Sequence, residues 1–197
     1  YTVAGLTRVG VHATTLLTMM VAVAMLEAAT FGAFSVGWIT AVIGNTVMYS
    51  GLYEYLLRTH DVDVEKHTVF WLLLSQGALL SSAMLVVGAT ATALGSSAVG
   101  IGFCVLAPVP LSTSVVAWCD SLLTRRGRVA EVGLVFFGAE VVGAATLLTA
   151  LWMGWRLHAL LAWRVVSTST AVIGMTWLNG TLPRLRWSSS VARTALK

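Results

Sequence analysis

Six runs of roughly twenty or more apolar residues dominate this chain of 197 residues and leave it one kind of architecture. A bilayer core is crossed by about 20 apolar residues of α-helix. On that scale the spans fall at about 11–30, 32–57, 68–94, 97–123, 129–154 and 157–179. The expected fold is therefore all-α: a polytopic membrane protein with six transmembrane helices in three antiparallel hairpins.

Composition agrees. The chain is 57% hydrophobic and 10% charged, with a mean hydropathy of +0.85. Soluble domains carry about 25% charged residues, so a water-soluble globular protein is excluded. Twelve Lys and Arg against eight Asp and Glu give a net charge of +4 and a pI near 9.5. These basic residues lie between apolar segments, where positive charge sets membrane orientation. No basic patch interleaved with aromatics is present, so nucleic acid is not an expected partner.

Orientation follows from where the basic residues fall. With both termini on one face, that face collects Arg8, Arg58, Lys66, Arg125, Arg126, Arg128, Arg184, Arg186, Arg193 and Lys197. The other face keeps Arg156, and Arg164 lies inside a span. This bias places both termini on the positive-inside face. Tyr49, Tyr53, Tyr55, Trp71, Trp118 and Trp177 then fall near the inner interface, with Trp38, Trp152 and Trp155 near the outer one. Residues 1–181 form one six-helix domain, and 182–197 a basic interfacial tail held by apolar contact and anionic headgroups. A first residue Tyr1 in place of Met suggests a processed precursor or a trimmed chain.

Small residues mark helix-packing faces. Gly37, Gly44 and Gly51 recur every seven residues with Ala41 between them, and Ala139 and Gly143 repeat the device in the fifth span. Small side chains let backbones approach where lipid removes the hydrophobic drive. Such faces join helices within one chain or to other membrane subunits.

Ionisable groups inside a span are functional suspects, because a charge in hydrocarbon is costly. Glu140 stands ~17 Å into its span, near the midplane, and Arg164 differs from it in depth by roughly 8 Å. Glu27, near the outer end of the first span, competes for the same arginine. Two roles fit: a buried pair that fixes helix register, or a carboxylate that exchanges protons or cations while Arg164 tunes it. Asp120 is expected to lie near the inner interface within reach of Arg125. Pro108 and Pro110 remove two backbone donors from the middle of the fourth span, which kinks or breaks it. Broken helices mark transport sites in some membrane proteins and are plain kinks in others.

Other candidates carry less. The segment His60-Asp61-Val62-Asp63-Val64-Glu65-Lys66-His67 matches neither an EF-hand nor a zinc motif, so no metal is expected. Cys104 and Cys119 read as small buried hydrophobes. No catalytic triad, phosphate loop or haem-ligand pair appears, so neither an enzyme nor a cofactor is expected, and bound phospholipid is the expected companion. The segment 177–186, ending Thr-Leu-Pro-Arg-Leu-Arg, resembles the end of the last helix in membrane subunit 1 of proton-pumping NADH:quinone oxidoreductase. Trp187-Ser-Ser-Ser-Val after it departs from that family, and no residue role is carried over. With small loops and no complete catalytic set, the expected function is an accessory subunit of a larger membrane complex. The respiratory chain of the mitochondrial inner membrane is the favoured setting, with a bacterial inner membrane as the alternative. The competing expectation is a small proton- or ion-coupled transporter or channel using Glu140, Arg164 and the Pro108–Pro110 break.

Overall fold

A computed structural model describes residues 2–59, 62–181, 183–185, 187–188 and 191–192. The described residues are helical, with no strand among them. The chain runs α1 (Thr2–Met25), α2 (Ala28–Met48), a π-helical turn (Tyr49–Tyr53), α3 (Glu54–Arg58), α4 (Val62–Ala93), α5 (Ser97–Leu106), α6 (Pro108–Arg125), α7 (Val129–Trp152) and α8 (Arg156–Asn179). Six of the resulting rods are long and apolar enough to cross a membrane, with α2 continuing through α3 and α5 through α6. The all-helical, six-span architecture holds.

The first boundary moves. The chain turns at Leu26–Glu27 rather than near Thr30, because Glu27 takes an extended conformation (ψ 141°) and caps α2. A charged residue with an extended backbone stops a helix where an apolar run read by composition continues. Glu27 is therefore a turn residue and not a member of the first span. The two turns poor in charge close on glycine. Gly95 (φ 88°) and Gly154 (φ 81°) adopt the left-handed conformation that lets a helix end return its last carbonyls to the chain. Ser96 donates to Ala91 at 2.9 Å and Trp155 to Ala150 at 2.9 Å.

Packing between rods follows the small residues. Gly37 faces Leu106 and the Gly102 backbone, Gly44 faces Leu80, and Ala41 is fully buried. Gly143 lies against Ser167 and Trp163. These faces close on helices of the same chain. Gly51 does not join them: a Cβ there would meet nothing within 4 Å. The π-helical turn explains the exception, since one wider turn rotates everything beyond Tyr49 off the seven-residue face. Neighbouring rods α7 and α8 pack along their length, as α4 does on α5 and α6. In contrast, α1 touches α2 little and lies along α7, with Thr7 at Gly133, Gly10 at Phe137 and Thr15 at Glu140. The pairs rise together in number, so α1 and α7 run parallel.

Two apolar clusters fill the bundle. One gathers Leu56, Phe70, Leu73, Trp118, Leu123 and Met175. Trp118 is core and not an interfacial ring: it is 2% exposed and donates from Nε1 to the Lys66 carbonyl at 2.8 Å. The second gathers Phe34, Met84, Phe103, Leu106, Leu147 and Leu160. The expected tail, 182–197, falls largely outside the described residues. Its described part docks on α4, where the Arg184 N–H donates to His67 Nδ1 at 3.0 Å and the Ser188 N–H to Thr68 Oγ1 at 3.1 Å. Leu185 and Trp187 face outward.

Candidate functional site

Helices α7 and α8 bring Glu140 and Arg164 together at mid-depth. Arg164 Nη1 lies 3.4 Å from Glu140 Oε1, and each side chain is 8% exposed. Thr15 of α1 donates its hydroxyl to the same oxygen at 2.8 Å. The guanidinium is stacked between two indoles, 4.1 Å from the Trp38 ring centre and 3.7 Å from that of Trp163. Planar, weakly hydrated guanidinium suits such a slot better than an ammonium does. The pair thus has an aromatic clamp on its cation and a hydroxyl on its anion, which offsets part of the desolvation that burial imposes.

Glu27 is not the partner of Arg164. It meets Arg156 at 3.3 Å in an exposed pair between the α1–α2 turn and the α7–α8 turn. Asp120 also differs from expectation. Arg125 turns instead to backbone, donating to the Leu56 carbonyl at 3.1 Å and to that of Thr59. Asp120, 8% exposed, accepts from Thr124 Oγ1 at 2.9 Å, hydrogen-bonds Tyr53 and feels the charge of Arg8. An α-helical Asp and Arg five residues apart point to different faces, so sequence proximity misleads there.

Beside Glu140 lies a cavity of about 240 Å³. Asn45, Tyr49, Thr113, Ser167 and Thr168 give it neutral polar groups and Glu140 its charge, while Val11, Val116, Phe136, Ala139 and Ala171 make the larger, apolar part of its lining. Asn45 Oδ1 is buried without a protein partner. The proline break does divide the fourth span into α5 and α6 at Ala107. Pro108 and Pro110 do not line the cavity; Thr113 and Val116 of the following turn do. Pro110 is buried, its carbonyl accepting from Ser114 at 3.0 Å and facing Gly77 of α4.

A smaller cavity of about 120 Å³ lies nearer the start of α1, lined by Arg8, His12, Asp120 and Thr124 among others. Among the described residues no group of three or more His, Cys, Asp or Glu is placed to hold a metal ion. His60 and Asp61 of the acidic loop lie outside the described residues. Sequence reading located the Glu140–Arg164 pair by depth but missed Thr15, Trp38 and Asn45. Those three come from α1 and α2, whose neighbours depend on which rods pack rather than on spacing along the chain.

Residues 22–197 match the family described as polysaccharide biosynthesis protein. No curated protein and no solved structure matches the chain. The family match overturns the expected role as an accessory subunit of the respiratory chain in the mitochondrial inner membrane. It spans most of the chain, whereas the resemblance to an oxidoreductase subunit covers about ten residues. Small loops and apolar faces are common to membrane proteins of any kind, so they carried no information about the respiratory chain.

Proposed function

Because the chain belongs to the family of polysaccharide biosynthesis proteins, we propose that it is a transport component of a polysaccharide-assembly pathway in a bacterial inner membrane. It moves a polar or lipid-linked saccharide across the bilayer, with Glu140 exchanging a proton or small cation during the cycle. The observation that carries this reading is the Glu140 carboxylate at the wall of a cavity in the middle of the span, where an amide and hydroxyls interrupt a mostly apolar lining. A translocator needs a polar station at that depth, where a hydrated group otherwise meets only hydrocarbon. The hydroxyls and amide around the cavity suit a neutral, hydroxyl-rich or singly charged guest. Arg164, held between Trp38 and Trp163, keeps the carboxylate in place and sets how readily it takes up a cation.

The test is translocation by cells or proteoliposomes that carry Glu140→Gln. The variant is expected to insert and assemble as the parent does and to lose translocation, because Gln keeps the hydrogen bonds and cannot exchange charge. Normal translocation by Glu140→Gln would overturn the coupling role and leave the pair a lock on helix register. Loss of assembly alone would do the same.

A further inference from the structure

The polar groups of this bundle are distributed unevenly along its depth. From the end where α6 finishes, Arg8, His12, Asp120 and Thr124 line the smaller cavity. Val11 and Phe136 line both cavities. Asn45, Tyr49, Thr113, Ser167, Thr168 and Glu140 follow in the larger one. The order holds on two rods: α7 rises from Val132 through Phe136 to Glu140, and α6 descends from Thr113 and Val116 to Asp120 and Thr124. Beyond Arg164 an apolar layer separates these cavities from the outer turns, where Thr30, Arg156 and His158 line a further cavity of about 590 Å³. Trp38 and Trp163 close over the guanidinium, and Phe34, Phe103, Leu147 and Leu160 pack the next layer.

We infer that ions reach the chamber at Glu140 from the end where α6 finishes, along a route whose outer station is Asp120 and whose constriction is at Val11 and Phe136, the two side chains that line both cavities. The guest this route suits is a proton or small monovalent cation, drawn by a carboxylate at each end. Apolar side chains shared by two neighbouring cavities exclude ions by desolvation and yield when either side chain swings aside. Tyr49 supports the passage: it lines the inner chamber and its ring stands 5.1 Å from that of Tyr53, which hydrogen-bonds Asp120. Arg8 beside Asp120 limits how tightly a cation rests there, which favours passage over retention. The route deepens the transport reading given above but concerns access alone.

The experiment reads access without any transport assay. In the full chain with Cys104→Ser and Cys119→Ser, Thr168→Cys reports on the chamber; Arg58→Cys and Met153→Cys mark the two ends. A small cationic thiol reagent is added to one side of sealed vesicles at a time. Thr168→Cys is expected to react from the Arg58 side and not from the Met153 side. Asp120→Asn is expected to slow the cationic reagent about tenfold while leaving a neutral reagent of the same size unchanged, as loss of an attracting charge does. Phe136→Ala is expected to speed both reagents, and Val11→Ala opens the same constriction from the other rod should Phe136→Ala fail to insert. Reaction from the Met153 side, or rates indifferent to Asp120 and to both constriction variants, would overturn the route. If labelling behaves as expected while Glu140→Gln still translocates, the route stands and the coupling role falls.

Discussion

Arg164 is held on four sides: by Glu140, by two indole faces, and by the backbone of α8 from which it projects. Its Nε has no protein partner, so the pair is tight but not saturated. Removing one member of such a pair leaves an uncompensated charge, whereas removing both leaves a gap that apolar atoms fill. Arg164→Met is therefore expected to destabilise the protein by about 3–5 kcal/mol. The double variant Glu140→Met, Arg164→Met should recover most of that loss, read as the thermal unfolding midpoint in detergent. Equal midpoints for single and double variants would show that the pair is not coupled in the folded state. Depth arithmetic along α7 and α8 was enough to find this pair, because both residues belong to rods joined by a three-residue turn. Trp38 and Thr15 were invisible by the same arithmetic. Nothing in the spacing of α1 or α2 says which later rod they meet.

At the scale of elements, glycine decides how closely rods approach, and position on the face matters more than the residue itself. A Cβ on Gly100 would stand 2.7 Å from the Gly88 carbonyl oxygen and 2.9 Å from the Thr92 nitrogen, both backbone atoms that cannot step aside. Gly100→Ala is expected to force α4 and α5 apart at a cost of about 1–3 kcal/mol. Gly51→Ala meets open space and is expected to be neutral or to stabilise by up to about 1 kcal/mol through helix propensity. Thermal unfolding of the two variants side by side checks the contrast; a loss at Gly51 equal to that at Gly100 would place Gly51 on a packed face after all. Sequence reading grouped Gly51 with Gly37 and Gly44 because a period of seven presumes an unbroken α-helix. The π-helical turn at Tyr49–Tyr53 breaks the period, and its composition, Tyr-Ser-Gly-Leu-Tyr, carries no sign that marks it in advance. The proline break of the fourth span, in contrast, was legible, since a missing N–H leaves the helix no choice.

For the whole molecule, the six-rod bundle has one charged end and one nearly uncharged end. Arg58, Arg125, Arg126 and Arg128 stand where α3, α6 and α7 meet, and their side chains are engaged there: Arg126 with the Asn179 side chain at 3.1 Å, Arg128 with Glu131 at 2.6 Å. At the other end Arg156 alone answers, in its exposed pair with Glu27. Because these arginines tie the ends of three rods to one another as well as facing the headgroups, orientation and packing depend on the same residues. The charged end is expected to face the cytoplasm, where the positive-inside bias is set. Cysteines at Arg58 and Met153 should then react from opposite sides of the membrane, Arg58→Cys from the cytoplasm. Replacing Arg125, Arg126 and Arg128 by Gln and adding three arginines to the turn at Gly154 should reverse a fraction of the molecules, which label from the wrong sides. Labelling of both cysteines from one side in the parent chain would mean that at least one rod between them lies along the bilayer instead of across it. The six spans would then be reduced to a number that no longer carries Glu140 to the middle of the membrane, and the cavity beside it would lose its reason to hold polar groups.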